Sequence, residues 1–302
     1  MTNNIPMGYV AFQRLKYIPI YGRFQWLNEQ STNKILGKFL KPPSKGRRGY
    51  DKIWMFKWLI YKQVTTCSYR DLETMRGIDY STFIKFRQRL IKKLWFPTIF
   101  KKLTDNIIGN LKDLTLILDS SFVETYSKKN EVGSEYSGYK KKNGFKLHQI
   151  IDYKTRLPLL QFCAPGARAD IVWGGNLVRA APDNWRVKEF LADKAYDADQ
   201  FVHDIRLKWK GTKVGIPLRD LVHKGSWLNQ FLRKWPRSLN PKLLNKRTEI
   251  ERYFSRSKGV FNLGEERTRH LKNFRANCYM VSIMKILEWM SQMLGLFTKL
   301  RR

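Results

Sequence analysis

The chain has 302 residues, 43% of them apolar and 14% aromatic, a core-forming content that excludes a disordered basic tail. Against 25 acids stand 58 lysines and arginines, a formal net charge of +33, and self-repulsion on that scale calls for a polyanionic partner, nucleic acid before an anionic membrane surface. Cys67, Cys163 and Cys278 lie far apart with no CxxC, and the four histidines are equally scattered, which argues against both a disulfide framework and a zinc site.

In chain order, the opening MTNNIPMGYVAFQRLKYIPIYG lacks a basic segment followed by a clean apolar core, so no secretory signal is expected. Residues 11–48 hold a single acid, Glu29, and include the punctuated KPPSKGRRGY, which reads as a basic, partly irregular arm. From 51 to 108 apolar residues recur three and four apart with lysine and arginine on the opposite faces, in DKIWMFKWLIYKQ and in STFIKFRQRLIKKLWFPTIFKKLTDNI. Helices are expected there. Between them Ser68 stands as an N-cap before Asp71. Such a cluster of short basic helices reads either as a DNA-binding module or as a helical scaffold with a solvated basic face.

Near residue 112 the pattern turns to strands. LTLILD reads as a buried strand that delivers Asp119 at its exit, followed by FKLHQIID and LPLLQFCAP joined through the turn DYKTR. A helix is expected over ADIVWGGNLVRAA, a strand over VKEFLAD ending at Asp193, a helix over DADQFVHDIRLKWK and a strand over TKVGIP. A basic, tryptophan-containing connection (218–245) leads to a helix at 246–261 and a helical tail at 273–298. Within the tail, 277–297 is long enough to span a bilayer, but Lys285 and Glu288 interrupt it on one face, so a packed amphipathic helix in a soluble protein is expected. Three strands, helix, strand, helix, strand describe a mixed sheet with helices on its faces, and sites in open α/β sheets gather at the carboxyl ends of strands.

The segment LNKRTEIERYFSRSKGVF carries two competing acids. Glu249 and Glu251 are two positions apart, about 200° on a helix, so only one faces the sheet. Ile250, Tyr253, Phe254 and Ser257 define the packing side, whereas Arg247, Glu251, Phe254 and Lys258 form a single stripe.

Arg247, Glu251 and Lys258, separated by three and six residues, resemble the Arg-Glu-Lys part of the Tyr-Arg-Glu-Lys signature of DDE-type insertion-sequence transposases. The signature's tyrosine would fall at Leu244. DKAYDAD is similar to the second-aspartate motif of that family, Asp-Lys-Gly-Tyr-Asp, with Ala195 in place of glycine; VGIPLR resembles the strand after it. GFKLHQIID resembles the strand after the first aspartate, and DSS stands where the family has Asp-Ser-Thr or Asp-Gly-Thr. The pieces occur in order over roughly residues 50–290.

The resemblance implies an α/β, ribonuclease-H-like mixed sheet flanked by helices, with an N-terminal helical domain and C-terminal helices. Its divisions would be a basic DNA-binding region at 1–110, a catalytic domain at 111–265 with a short insertion at about 218–245, and a helical segment at 266–302. It further implies that Asp119, Asp193 and Glu251 are catalytic and hold two Mg²⁺ ions, replaceable by Mn²⁺, for cleavage and strand transfer at the ends of an insertion sequence. Expected partners are double-stranded DNA (terminal inverted repeats and target) and a second copy of the chain in the DNA complex; the expected compartment is the prokaryotic cytoplasm, at the nucleoid, without membrane association.

DNA contacts are expected of Arg247, Lys258, Lys194, Lys146, Arg219 and Trp227. Each has a plainer reading: solvated surface charge for the basic groups, and local core closure, rather than base stacking, for the tryptophan. His148, in the middle of its strand, reads as a packed histidine. A catalytically silent DNA-binding protein and a metal-dependent nuclease of the same fold are the alternatives.

Overall fold

The computed structural model describes residues 30–40, 49–109, 111, 113–125, 133–219, 231, 234, 237–264 and 270–293. Of the basic arm read at 11–48, residues 11–29 and 41–48 lie outside them while Gln30–Gly37 form a helix, and most of the connection at 218–245, with Trp227, also lies outside. The chain divides into two units, Met1–Phe100 with Tyr279–Arg302, and Lys101–Cys278.

The first unit is helical: α1 (Gln30–Gly37), α2 (Lys52–Thr65), α3 (Tyr69–Arg76), α4 (Tyr80–Lys92) and the start of α5 (Trp95–Ile108). Local chemistry sets the boundaries. Asp51 caps α2 by accepting the Trp54 N–H at 2.7 Å. Ser68 is the N-cap of α3 as expected, and with Asp71 it forms a reciprocal capping box. Gly77 ends that helix with φ of 64°, in the left-handed region that costs glycine nothing. Phe56, Leu59, Ile60, Leu72, Phe83 and Phe96 fill the interior.

The tail helix, α10 (Leu271–Met293) by its place in the chain, departs from the amphipathic expectation. Met280, Val281, Ile283, Met284, Ile286 and Leu287 are all buried, and so are Lys285 and Glu288. At 100° per residue these positions surround the helix, which makes it a core helix rather than a half-exposed one. Among the described residues no helix is long and apolar enough to cross a membrane.

The second unit is built on a sheet. Its elements are β1 (Leu114–Glu124), β2 (Glu135–Ser137), β3 (Lys142–Asp152), β4 (Pro158–Pro165), α6 (Asp170–Ala180), β5 (Val187–Ala192), α7 (Asp199–Lys208), β6 (Lys213–Gly215), the short α8 (Pro241–Leu244) and α9 (Thr248–Gly259). β3 pairs antiparallel with β1 on one side and with β4 and the short β2 on the other. β5 lies parallel to β1, and β6 parallel to β5. Three antiparallel strands followed by two parallel ones, with β1 in the middle of the sheet, are the ribonuclease-H-like topology that the resemblance implied.

Strand alternation distributes the chemistry between the faces. Leu114, Leu116 and Leu118 of β1 share a core with Phe190 and Ala192 of β5, Leu177 and Val178 of α6, and Phe201, Val202 and Ile205 of α7. Residues of opposite parity, including Ile117 and Asp119, belong to the other face. Fully removing a leucine-sized side chain from water is worth about 1.5–3 kcal/mol, so this row fixes the register of β1 against a one-residue slip, which would turn every side chain over.

One expectation is corrected. β1 does not end at Asp119 but runs five residues further, to Glu124, because β3 pairs with it through Glu124↔Gly144. What ends beside Asp119 is the parallel partner: β5 stops at Ala192, opposite Leu118. The carboxylate therefore sits where the sheet loses a neighbour, not where its own strand stops.

Candidate active site

The register brings the first two acids together. Leu118 is paired with Ala192 on adjacent parallel strands, so Asp119 and Asp193 are the next residues in line. Asp193 leaves the strand and caps a 3₁₀ turn, Lys194–Tyr196, by accepting the Ala195 N–H at 2.7 Å. Asp119 accepts the N–H of Ser120, also at 2.7 Å. Burial pushes the Asp119 carboxyl up to about 7; the Ser120 N–H opposes this, the charge of Asp193 adds to it, Arg247 opposes it and Asp170 adds to it. Two carboxylates held side by side in partial burial repel, and a cation would relieve them.

The helix α9 separates the two competing glutamates as their spacing required. Glu249 is buried and ion-paired to Arg156, Nε to Oε2 at 2.7 Å, and to Arg252. Glu251 is exposed, and its Oε1 lies 3.2 Å from Arg247. Arg247, the partner of Glu251, also lowers the Asp119 carboxyl. Among the described residues, however, no three acidic, histidine or cysteine side chains stand close enough together to hold a metal ion. The structure gathers Asp119 and Asp193 and leaves Glu251 in its ion pair.

Arg247, Lys258, Lys146 and Arg219, among the basic residues expected to meet DNA, have protein partners here. Lys258 is half-buried and donates to the Phe122 carbonyl of β1 at 3.0 Å, tying α9 to the strand that carries Asp119; burial and then Lys140 lower its pKa. Lys146 donates to Asp170 at 2.9 Å and to the Arg168 carbonyl at 3.2 Å. Arg219 donates to the carbonyls of Lys194, at 2.7 Å, and of Ala195, while its own N–H reaches Asp197 at 2.7 Å. It is a strap on the turn that Asp193 begins. Lys194 is exposed beside Asp193.

A second polar group, behind Asp119, escaped the sequence reading. Ser120 points to the opposite face and donates to Asp170 at 2.9 Å. The same carboxylate receives Lys146 and lies 3.7 Å from His148 Nδ1. His148 is fully buried, packs near Trp173 at 6.4 Å between ring centroids, and has its pKa lowered to about 4, chiefly by burial. It is the packed histidine expected. Tyr196 is also fully buried, with its phenol raised by burial and by Asp170, Asp119 and Asp193. Gly174 makes room for it, since a Cβ there would fall 2.6 Å from the tyrosine ring. Asp170 carries no signal of its own in the sequence because it opens a helix and does not follow an apolar strand.

This is the site of a ribonuclease-H-like sheet with two aspartates at the central strand pair and a glutamate on a following helix. The family model for the transposase DDE domain matches residues 110–287. The chain belongs to that family, whose members cleave and transfer DNA strands. No curated protein matches it in sequence. Among solved structures, the piggyBac transposase in a synaptic complex with hairpin DNA is similar to it at 16% identity and a TM-score of 0.44, over 94% of this chain and 74% of that one.

Proposed function

We propose that the chain is the transposase of an insertion sequence, cutting and joining DNA at the ends of the element by a cut-and-paste route. The observation that carries this reading is that Asp119 and Asp193 each follow the last pair, Leu118↔Ala192, of the β1–β5 register, inside the segment that matches the family. Asp119, Asp193 and Glu251 are the catalytic residues and the ligands of two Mg²⁺ ions, with Mn²⁺ as a substitute. The donor chemistry fits, being oxygen only, and the raised Asp119 carboxyl marks a place where positive charge is wanted. Bound divalent cations supply the neutralisation of phosphate charge and the activation of the attacking oxygen that such reactions need. Glu251 would complete the set by exchanging Arg247 for a cation, and Arg247 would then be free for a DNA phosphate.

The remaining assignments follow from that role. Residues 1–110 bind DNA, 111–265 catalyse and 266–302 complete the helical part. Lys258, Lys194, Lys146, Arg219 and Trp227 are the further contacts to the terminal inverted repeats or the target, and two copies of the chain pair the ends at the nucleoid of a prokaryotic cytoplasm. Phosphate contacts of this kind set register and affinity rather than sequence.

The test uses the gene with its native flanks, purified full-length protein and Mg²⁺ or Mn²⁺, with every new 3′ end mapped beside Asp193→Asn. Discrete cuts at both flanks that vanish in the variant are expected. Scattered cuts shared by the variant, or binding without cutting, would replace the reading by a DNA-binding protein that has lost its chemistry.

A further inference from the structure

The helices α2, α3 and α4 of the first unit have a geometry that the charge pattern alone did not reveal. Eight-residue α3 and thirteen-residue α4 are joined by only Gly77, Ile78 and Asp79. Gly77 takes φ of 64° and its N–H closes on the Glu73 carbonyl at 2.7 Å, while Asp79 caps α4 by accepting the Ser81 N–H at 2.7 Å. One buried apolar residue comes from α3 (Leu72), one from the turn (Ile78) and three from α4 (Phe83, Phe86, Leu90). Behind them α2 is a brace: the Trp54 ring lies 6.3 Å from that of Phe83, and the Arg76 guanidinium sits 3.9 Å over the Trp58 ring. A short helix, a tight glycine turn and a longer helix, locked by a small core and a third helix, make a helix-turn-helix.

In that motif the second helix enters the major groove and its outward side chains meet base edges. α4 is built for this by its two faces. At 100° per residue, Phe83, Phe86, Arg87 and Leu90 fall on one side and are buried, while Tyr80, Lys85, Gln88, Arg89 and Lys92 are exposed on the rest. Arg70, at the start of α3, is exposed and lies 5.6 Å over the Tyr80 ring, at the end of α4 nearest the turn.

We infer that α3 and α4 form the sequence-reading site of this protein, with Tyr80, Lys85 and Gln88 directed at base edges in the major groove of B-form DNA. Arg70, Arg89 and Lys92 flank them and hold the phosphates. The chemistry of the reading residues names the bases. Gln88 has the amide that pairs with the N6 and N7 edge of adenine, Lys85 donates to guanine O6 and N7, and the Tyr80 ring offers apolar contact for a thymine methyl. The inference rests on the reading of DNA as the substrate and adds what that reading lacks, namely where the element's ends are recognised.

The test is selection from a randomised duplex library by the full-length protein in EDTA, so that no DNA is cut, followed by sequencing of the bound fraction. The same selection is run with Lys85→Ala, Gln88→Ala and, as a control on an exposed lysine of the turn between β3 and β4, Lys154→Ala. Circular dichroism confirms that each variant is folded. A short motif is expected in the wild type and in Lys154→Ala. Gln88→Ala should relax one adenine position and Lys85→Ala one guanine position, each by roughly tenfold in relative affinity. An unchanged motif in both α4 variants, or no motif at all, would overturn the inference. If α4 loses this role while native flanks are still cut in an Asp193-dependent way, the transposase reading stands without it. If the motif depends on α4 but no flank is cut, the reader survives and the catalytic reading fails.

Discussion

The end of the β1–β5 ladder and the helix α9 solve the same problem differently. Asp119 and Asp193 are positioned by backbone: the Leu118↔Ala192 pairing decides that they are neighbours, and each carboxylate accepts a backbone N–H close by in its own chain. Glu251 is positioned by a side chain alone, in an exposed ion pair with Arg247. Exposed pairs of this kind are worth about 0–1 kcal/mol, so little opposes a change of partner. The sheet presents two preset carboxylates, and the helix presents one that is free to change partner.

The largest effect should come from the preset pair. Asp119→Asn and Asp193→Asn should each lower strand cleavage on the order of 10³-fold or more, while binding of the same DNA in EDTA is retained. A variant of either residue that still cuts at the flanks with metal would break the assignment of the pair.

The same burial that presets Asp119 makes it a liability without metal. Its carboxyl rises from an ordinary 3.8 to about 7 on folding. An acid with a raised folded pKa takes up a proton on folding between those values, so folding loses stability as pH climbs from about 4 to about 7 and stays penalised above. Each pH unit across that window corresponds to about 1.4 kcal/mol as an upper bound. Asp119→Asn should therefore raise the melting temperature of the metal-free protein at pH 8, by an amount worth a few kcal/mol, with little gain at pH 4. Added Mg²⁺ should narrow the difference by stabilising the wild type. Equal gains at both pH values would remove burial as the source of the shift.

A sharper form of the comparison uses the two glutamates of α9. Glu251→Gln should reduce cleavage by about 10²-fold with an unchanged melting temperature. Glu249→Gln should do the reverse, keeping cleavage and losing about 1–2 kcal/mol of stability. That figure is held low because Arg156 and Arg252, its partners, are themselves mostly exposed. If the two variants exchanged phenotypes, the glutamate in the site would be Glu249.

How far the sequence revealed this site depended on what fixed each residue. Both aspartates stood out because each follows an apolar run, and the opposite facing of Glu249 and Glu251 was legible because helical periodicity is rigid. The continuation of β1 to Glu124 was not, since DSSFVE alternates too weakly to announce a strand and is held by pairing with β3, a contact made by residues far along the chain. Asp170 was hidden for a related reason: it meets Ser120 fifty positions away. The full burial of Lys285 and Glu288 ran against what their charges suggested.

The smallest effect concerns Lys258, where a structural and a functional role are separable by salt. Its ammonium is half-buried against the Phe122 carbonyl. Replacing it with methionine keeps most of the stem packing but leaves that carbonyl without its donor, at a cost of about 0.5–1.5 kcal/mol. A lysine that serves only to tie α9 to β1 would show this loss and nothing more. A lysine that also meets a DNA phosphate would in addition release one counterion fewer on binding, and the slope of log K against log salt should become shallower by about 0.9. Titrating full-length Lys258→Met and wild type with one duplex, in EDTA at several salt concentrations, reads that slope directly. Parallel lines would leave Lys258 as a strap of the active-site helix and remove it from the DNA contacts.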